Sequence, residues 1–391
     1  MEELLLYTYD RMKIIYYLLL FIIFGCKSPI QKTRLNTETY ESLSIEVKAN
    51  FNPDRTRTQY YESDSGEYLA ILNKSLNRIE IFNLETKVSE RQIPLAKDGP
   101  NRVGVTNGFQ IVALDCLLLA TIPPQIKIID FNGIIKKSIP VNDQENKVNF
   151  LSSNNEIPLL FGANSVFGAQ PFFQNFFKMN KKDIAKYTPI YKINLSDKSL
   201  AEWLQISHPS DIWENGKKTE KFSWADRYDT IIVAPHADHR LWLISKDRGN
   251  LLGYKDGKSI SVNNFHIINE LSSGDKGIIE NIVSDRYEII LHDSYRDVFY
   301  RFFFVGIDWE SYNLSPRDLF ANRPRTGVLV LDKNLNIIGE HVFEDHAIEN
   351  WNYFVGKKGL YVSTNNPNRD DFDENFLRYD IIRFEGLEYE D

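Results

Sequence analysis

Cysteine is almost absent from this sequence: Cys26 and Cys116 are the two in 391 residues. If Cys26 is committed elsewhere, no intramolecular disulfide can form, and a disulfide-stapled fold is excluded. Cys116 opens the apolar run 116–120 and reads as an inert buried thiol. A basic excess is also missing. The 46 Lys and Arg stand against 54 Asp and Glu, a formal charge of −8, which argues against nucleic acid as a partner. Residues 1–25 hold two basic and three acidic residues, so their removal leaves −7 (−8 + 1). Acidity of this size keeps a chain soluble and does not define its ligand. Long hydrophobic runs are scarce: the one from Ile14 to Gly25 has 12 residues, short of the roughly 20 that span a bilayer as a helix. No nucleophile elbow, P-loop or dinucleotide fingerprint occurs, and no cofactor is expected.

What is present is enough apolar material for a large core, 42% hydrophobic and 13% aromatic. Residues 228–255 (YDTIIVAPHADHRLWLISKDRGNLLGYK) show how it is arranged. Three apolar runs, 230–234, 240–245 and 251–254, are separated by turn clusters at 235–239 and 246–250, the pattern of an antiparallel meander. Copies run along the chain. The clearest shared element is an apolar strand ending in a polar turn: IFNLETK, IIDFNGI, YKINLSDK, LWLISKDRG, VLVLDKNLN and DIIRFEG. With Phe82, Ile129, Ile193, Leu243, Val330 and Ile382 as markers, the spacings are 47, 64, 50, 87 and 52. A period near 50, stretched by insertions, predicts an all-β, six-bladed propeller of four-stranded antiparallel blades. Leu43, Ile45, Val47 and Ala49 alternate with polar residues in a strand (43–51) that has no blade of its own. Pairing it with the sixth blade would close the ring and hide the sheet edge.

The N-terminus reads as an address. Residues 12–26 (MKIIYYLLLFIIFGC) have the lysine, short apolar region and small residue of a secretory signal. Glu2, Glu3 and Asp10 precede it with the wrong charge, so Met12 is a candidate start. Ile23-Phe24-Gly25-Cys26 resembles a bacterial lipobox, which implies acylation of Cys26, palmitate among the acyl chains, and firm membrane attachment. Lys27 and Ser28 lack the aspartate that retains lipoproteins in the inner membrane, and no acidic cluster marks surface export. The expectation is a signal peptide (1–25), a lipidated tether (26–42) and a propeller (43–391) on the outer membrane, facing the periplasm.

Two insertions stretch the repeat. Residues 161–186 contain Phe167, Phe172, Phe173, Phe176 and Phe177: a satellite cluster on blade three or, if exposed, a partner-binding lip. In residues 306–325, Ser315-Pro316-Arg317-Asp318 places a capping Ser, a Pro at N1 and an acidic residue at N3, so a short helix should begin there.

The six meanders, the lipobox, the segment Lys97-Asp98-Gly99-Pro100-Asn101-Arg102-Val103-Gly104 and the segment 295–302 (YRDVFYRF) together resemble domain of unknown function family 4221, within the wider six-bladed, TolB-like propellers. The resemblance implies fold and compartment. It carries over no catalytic residue.

The most charged apolar stretch is 295–304, YRDVFYRFFF. In strand register Phe299, Arg301, Phe303 and Val305 share one face, while Val298, Tyr300, Phe302 and Phe304 share the other. A charge among aromatics needs a partner or a wet cavity. Asp293 or Asp297 could pair with Arg301 across blades; alternatively Arg296, Tyr300 and Arg301 contact a ligand in the funnel. His236-Ala237-Asp238-His239 offers two metal donors without a local third and reads as a polar turn. Asp371, Asp373 and Asn375 start a calcium-loop pattern that fails at Phe376 and Ile382. No metal site is expected. The reading is therefore a non-enzymatic binding or scaffold propeller with an envelope protein as a possible partner. The alternative is a hydrolase of glycans or esters with carboxylates in the central channel. Carboxylates and histidines converging at the channel mouth would favour the hydrolase; a channel plugged by aromatics would favour the scaffold.

Overall fold

The computed structural model describes residues 34–142, 147–171, 176–195, 201–268, 272 and 274–389. Their 24 strands form six four-stranded antiparallel sheets. Blade one comprises β2 (Pro53–Ser63), β3 (Gly66–Asn73), β4 (Arg78–Asn83) and β5 (Val88–Pro94). Blade two runs from β6 (Val105–Ala113) through β7 (Cys116–Ile122) and β8 (Gln125–Ile129) to β9 (Ile135–Pro140). Blade three is shorter: β10 (Leu160–Phe161), β11 (Ser165–Ala169), β12 (Ile190–Asn194) and β13 (Ala201–Trp203). Blade four contains β14 (Phe222–Arg227), β15 (Thr230–Pro235), β16 (Arg240–Ser245) and β17 (Leu251–Asp256). Blade five contains β18 (Arg286–Asp293), β19 (Val298–Phe304), β20 (Thr326–Leu331) and β21 (Ile337–Val342). Blade six takes β22 (Tyr353–Gly356), β23 (Gly359–Ser363) and β24 (Phe376–Phe384), and borrows β1 (Thr37–Glu46) as its outer strand.

That borrowed strand closes the ring. Thr37 pairs with Phe384 and Glu46 with Phe376, so β1 begins six residues before the expected 43–51 strand. Alternation explains how the blades then pack. Successive side chains of a strand point to opposite faces of its sheet, so a central strand feeds two seams at once. Tyr68, Ala70 and Leu72 join Phe109 and Leu117 between blades one and two. Leu69 and Ile71 join Tyr361 and Tyr379 between blades six and one. Each of the six larger apolar clusters bridges one pair of neighbouring blades. Each large apolar side chain fully buried in them is worth roughly 1.5–3 kcal/mol.

All six sequence markers lie in the third strand of a blade. The polar turn that follows has a backbone reason. Lys87, Gly133, Gly249 and Leu335, each four residues beyond the end of its third strand, have positive φ, and Gly386 does so after β24. Residues 196–200, the turn of YKINLSDK, lie outside the described part.

The first insertion is partly blade. Phe167 belongs to β11 and is fully buried, so 161–186 supplies a strand as well as a loop. Its remainder holds the short helix α1 (Lys181–Ile184), capped by Asn180. The second insertion carries α3 (Pro316–Ala321), where the Ser315 side chain accepts from Asp318 N as its sequence requires. It packs beside α2 (Asp275–Ile282), where Ile282, Ile307 and Leu319 form a small core.

Candidate functional site

The first strand of each blade faces the ring axis, and all start towards one face, here called upper. Blade three departs from this pattern. Its first strand shrinks to two residues, and the preceding segment 153–158 crosses towards the axis. Asn155 N donates to Thr56 O of blade one (2.8 Å), and its side chain lies against Thr58 and Tyr353 O. The Glu156 carbonyl accepts from Trp224 N (3.1 Å) and Ser223 Oγ (2.8 Å) of blade four. Trp224 Nε1 donates to Pro158 O (2.8 Å). The segment begins against blade two at Gly108, whose φ is +133°; a Cβ there would lie 1.8 Å from Ser153 O. One polar segment thus touches four other blades and divides the channel.

Above it lies a chamber of about 530 Å³, below it one of about 290 Å³. The upper chamber takes its walls from the starts of first strands and from the 235–239 turn: Glu156, Lys221, His236, Arg286, Glu288 and Trp351. Phe320 of α3 closes one side. Carboxylates and histidines do converge here, and each carboxylate already has an internal partner. Glu156 Oε1 lies 3.2 Å from His236 Nε2. Burial would raise the Glu156 carboxyl, but His236, Lys221 and Arg286 outweigh it and hold it below the usual range. Glu288 pairs with Arg286 and accepts from Trp351 Nε1 at 2.8 Å. Asp285 accepts from the backbone N–H groups of Asn263, Asn264 and Gly306. Lys221, by contrast, makes no side-chain hydrogen bond or ion pair among the described residues. Just outside, Glu349 accepts from Asn352 and Ser363 and lies 3.6 Å from Arg55; burial raises its carboxyl above the ordinary value.

The aromatic-arginine stretch has a different use from the expected one. The two faces of β19 separate as the register requires, with Phe299 and Phe303 in one seam and Val298, Tyr300 and Phe302 in the next. Arg301, however, is 0% exposed and contacts neither a ligand cavity nor Asp293 or Asp297. Its guanidinium donates to four main-chain carbonyls of blade four and the chain just after it: Pro235, Asp238, His239 and Gly257, at 2.7–3.1 Å. It also lies over the Tyr287 ring at 3.4 Å. Burial pulls it down to about 10, still charged at neutral pH. Gly257 permits this approach, since a Cβ there would stand 3.0 Å from Nη1. Arg296 and Tyr300 are structural too. Both bond Asp293, and Arg296 also reaches the carbonyls of Gly356 and Lys357 in blade six. The structure thus places all three candidate contacts among internal partners, Arg301 in the blade four–five seam and Arg296 and Tyr300 at Asp293.

His236, Asp238 and His239 point apart: to Glu156, to Arg240, and to the Tyr287 hydroxyl at 2.8 Å. Among the described residues no group of three or more His, Cys, Asp or Glu is arranged to hold a metal ion. Asp371 pairs with Arg369 and Arg378, and Asp373 caps its own turn at Asn375. Of the Phe-rich lip, Phe176 packs edge-on to Trp213 while Phe177 is 49% exposed. Phe172 and Phe173, like Cys26, lie outside the described residues. Cys116 is a half-buried free thiol, pushed up by burial and by Asp115.

Six radial four-stranded sheets, closed by an N-terminal strand around a divided axial channel, define a β-propeller. The chain belongs to the family described as domain of unknown function (DUF4221), whose profile matches residues 34–342. A crystal structure of a DUF4221 member from Bacteroides vulgatus is similar, with TM-score 0.78 and 23% identity over 90% of this chain and 99% of that one. A candidate exported protein from Bacteroides fragilis shares the fold more distantly, with TM-score 0.50 and 9% identity over 91% and 97%. No curated protein matches. No helix among the described residues is long and apolar enough to cross a membrane.

Proposed function

We propose that this protein is an exported, lipid-anchored binding propeller whose upper chamber captures a small polar ligand. The supporting observation is the blind chamber itself: its carboxylates are already matched internally, while Lys221 and the Phe320 ring remain open to an incoming molecule. A volume of about 530 Å³ lies within the range of small-ligand sites. Native mass spectrometry of the folded protein, incubated with the low-mass fraction of an envelope extract, tests this. A bound mass that is lost in Lys221→Ala and Trp351→Ala supports the reading. No bound mass, or one retained in both variants, refutes it.

The anchor is proposed on separate grounds: the lipobox-like Ile23–Cys26 sequence and the fold shared with a candidate exported protein. On this reading Cys26 carries the lipid and the propeller faces the periplasm from the outer membrane. Cys26→Ala should release the protein from membranes; continued tight association would count against lipidation.

A hydrolase is the second reading, favoured by one observation: Glu156, Glu288 and His236 converge on the chamber wall, with Glu156 Oε1 3.2 Å from His236 Nε2. Turnover of 4-nitrophenyl glycosides or esters that is lost in Glu156→Gln would establish it over simple binding.

A further inference from the structure

A cavity of about 820 Å³ lies away from the axis, on the upper face between blades one and two. Three segments build it: the 74–77 turn of blade one, the 97–104 connection, and the 121–125 turn of blade two. The connection is the Lys97–Gly104 segment that helped to mark the family in the sequence. It folds as a compact loop, with Val103 N donating to Ala96 O (2.9 Å) and Arg102 N to Gly99 O (3.1 Å). Gly99 and Gly104 supply positive φ, and the buried Val103 pins the loop to the core. The opposite wall is apolar: Val105 and Ile122 pair across β6 and β7, yet are 62% and 52% exposed, beside Pro123 and Pro124.

Charge in this groove has one sign. Lys74 is tied to Asp54 at 2.9 Å. Lys97, Arg102 and Lys127 also line the groove, and among the described residues none has a carboxylate within ion-pair distance. Lys127 Nζ donates to Arg102 O (2.6 Å), which fixes the ammonium beside a second cation. Burial and then the Arg102 charge both lower the Lys127 ammonium, so a nearby anion would be favourable to it. An acidic protein that gathers three cations without counter-charges, against an exposed apolar wall, has the complement of a specific ligand chemistry.

We propose that this groove binds an anionic amphiphile, a single carboxylate, sulfonate or phosphate head on an apolar body, taken up as a monomer from solution. The head meets Lys97, Arg102 and Lys127, and the body lies on Val105, Ile122 and the two prolines. A bilayer is the less fitting source, because the Lys127 ammonium lines a concave groove instead of protruding. The site is separate from the axial chamber and does not depend on the function proposed for it.

The test is titration of the full propeller with laurate below its critical micelle concentration, read by displacement of 1-anilinonaphthalene-8-sulfonate and by calorimetry. Binding should weaken by about 10- to 100-fold in Lys97→Glu/Arg102→Glu, as expected for lost charged hydrogen bonds. It should also fall in Val105→Ser/Ile122→Ser, persist in Lys97→Arg/Arg102→Lys, and be unaffected by Trp351→Ala. Dodecanol should bind at least tenfold more weakly. Thermal melts near wild type establish that the charge-reversed variant is folded, and the conservative variant controls for the loop. Absent binding, equal binding of dodecanol, indifference to both groove variants, or binding of anionic vesicles without binding of monomeric laurate would each overturn the proposal.

Discussion

Two seams of the ring handle positive charge in opposite ways. Between blades four and five, Arg301 is fully enclosed and meets four carbonyl oxygens; nearby Arg323, equally enclosed, donates to the carbonyls of Asn281 and Ser284. Between blades one and two, Lys97, Arg102 and Lys127 stand at a groove with no carboxylate partner among the described residues. The first arrangement satisfies the cation with main chain that a distant turn must present in one geometry, so the charge specifies the docking of blades. The second leaves charge for something outside the chain. Sequence does not separate the two, since an arginine in an aromatic strand looks more like a ligand contact than one in a polar loop.

Removing Arg301 should have the largest effect. Arg301→Met leaves four carbonyls without their donor in a dry seam, and the loss should be about 3–5 kcal/mol by urea denaturation, the range for breaking a buried charged contact. Arg301→Lys keeps the charge without the planar fork and should recover only part of it. A loss under about 1 kcal/mol would mean that the cage contributes little, and the contrast between seams would fail.

The blades were legible where strands are dry on both faces. Third strands such as Thr326–Leu331 are buried throughout and end at a turn requiring positive φ, so both the apolar run and its punctuation recur. The first strand of blade one carries no such signal, for the converse reason. Pro53–Ser63 (PDRTRTQYYES) borders the wet channel and is mostly half-buried, so no apolar period appears. The chamber was illegible because Glu156, Lys221, Arg286 and Trp351 come from four blades, brought together only by ring closure. One local signal existed. The polar run Ser152-Ser153-Asn154-Asn155-Glu156 interrupts blade three where a first strand belongs, and that interruption is the segment dividing the channel.

Acid should strain the blade four–five seam next. His239 is lowered to about 4, by burial first and then by the Arg301 charge. The unfolded imidazole, near 6.5, binds a proton that the folded one refuses. Stability is therefore full above that value and declines as pH falls from about 6.5 towards 4, by up to about 1.4 kcal/mol per pH unit before solvent screening reduces it. His208, against Trp242 and lowered to about 3 by burial, adds a second term of the same sign that extends to lower pH. Melting temperature should fall between pH 7 and pH 5, and His239→Phe should flatten part of the slope. An unchanged slope in that variant would show that Arg301 and His239 do not share the seam's electrostatics.

The smallest effect belongs to the groove. Lys97→Ala/Arg102→Ala removes two exposed cations that contact no carboxylate among the described residues, so unfolding free energy should stay within about 0.5 kcal/mol of wild type. Lys127→Met should be neutral or slightly stabilising, because it relieves the neighbouring Arg102 charge at the cost of one hydrogen bond to a carbonyl. If either variant instead cost as much as Arg301→Met, these cations would belong to the fold. Stability that stays flat while anion binding disappears would place them outside it, because a group that the fold does not need can be kept for a ligand.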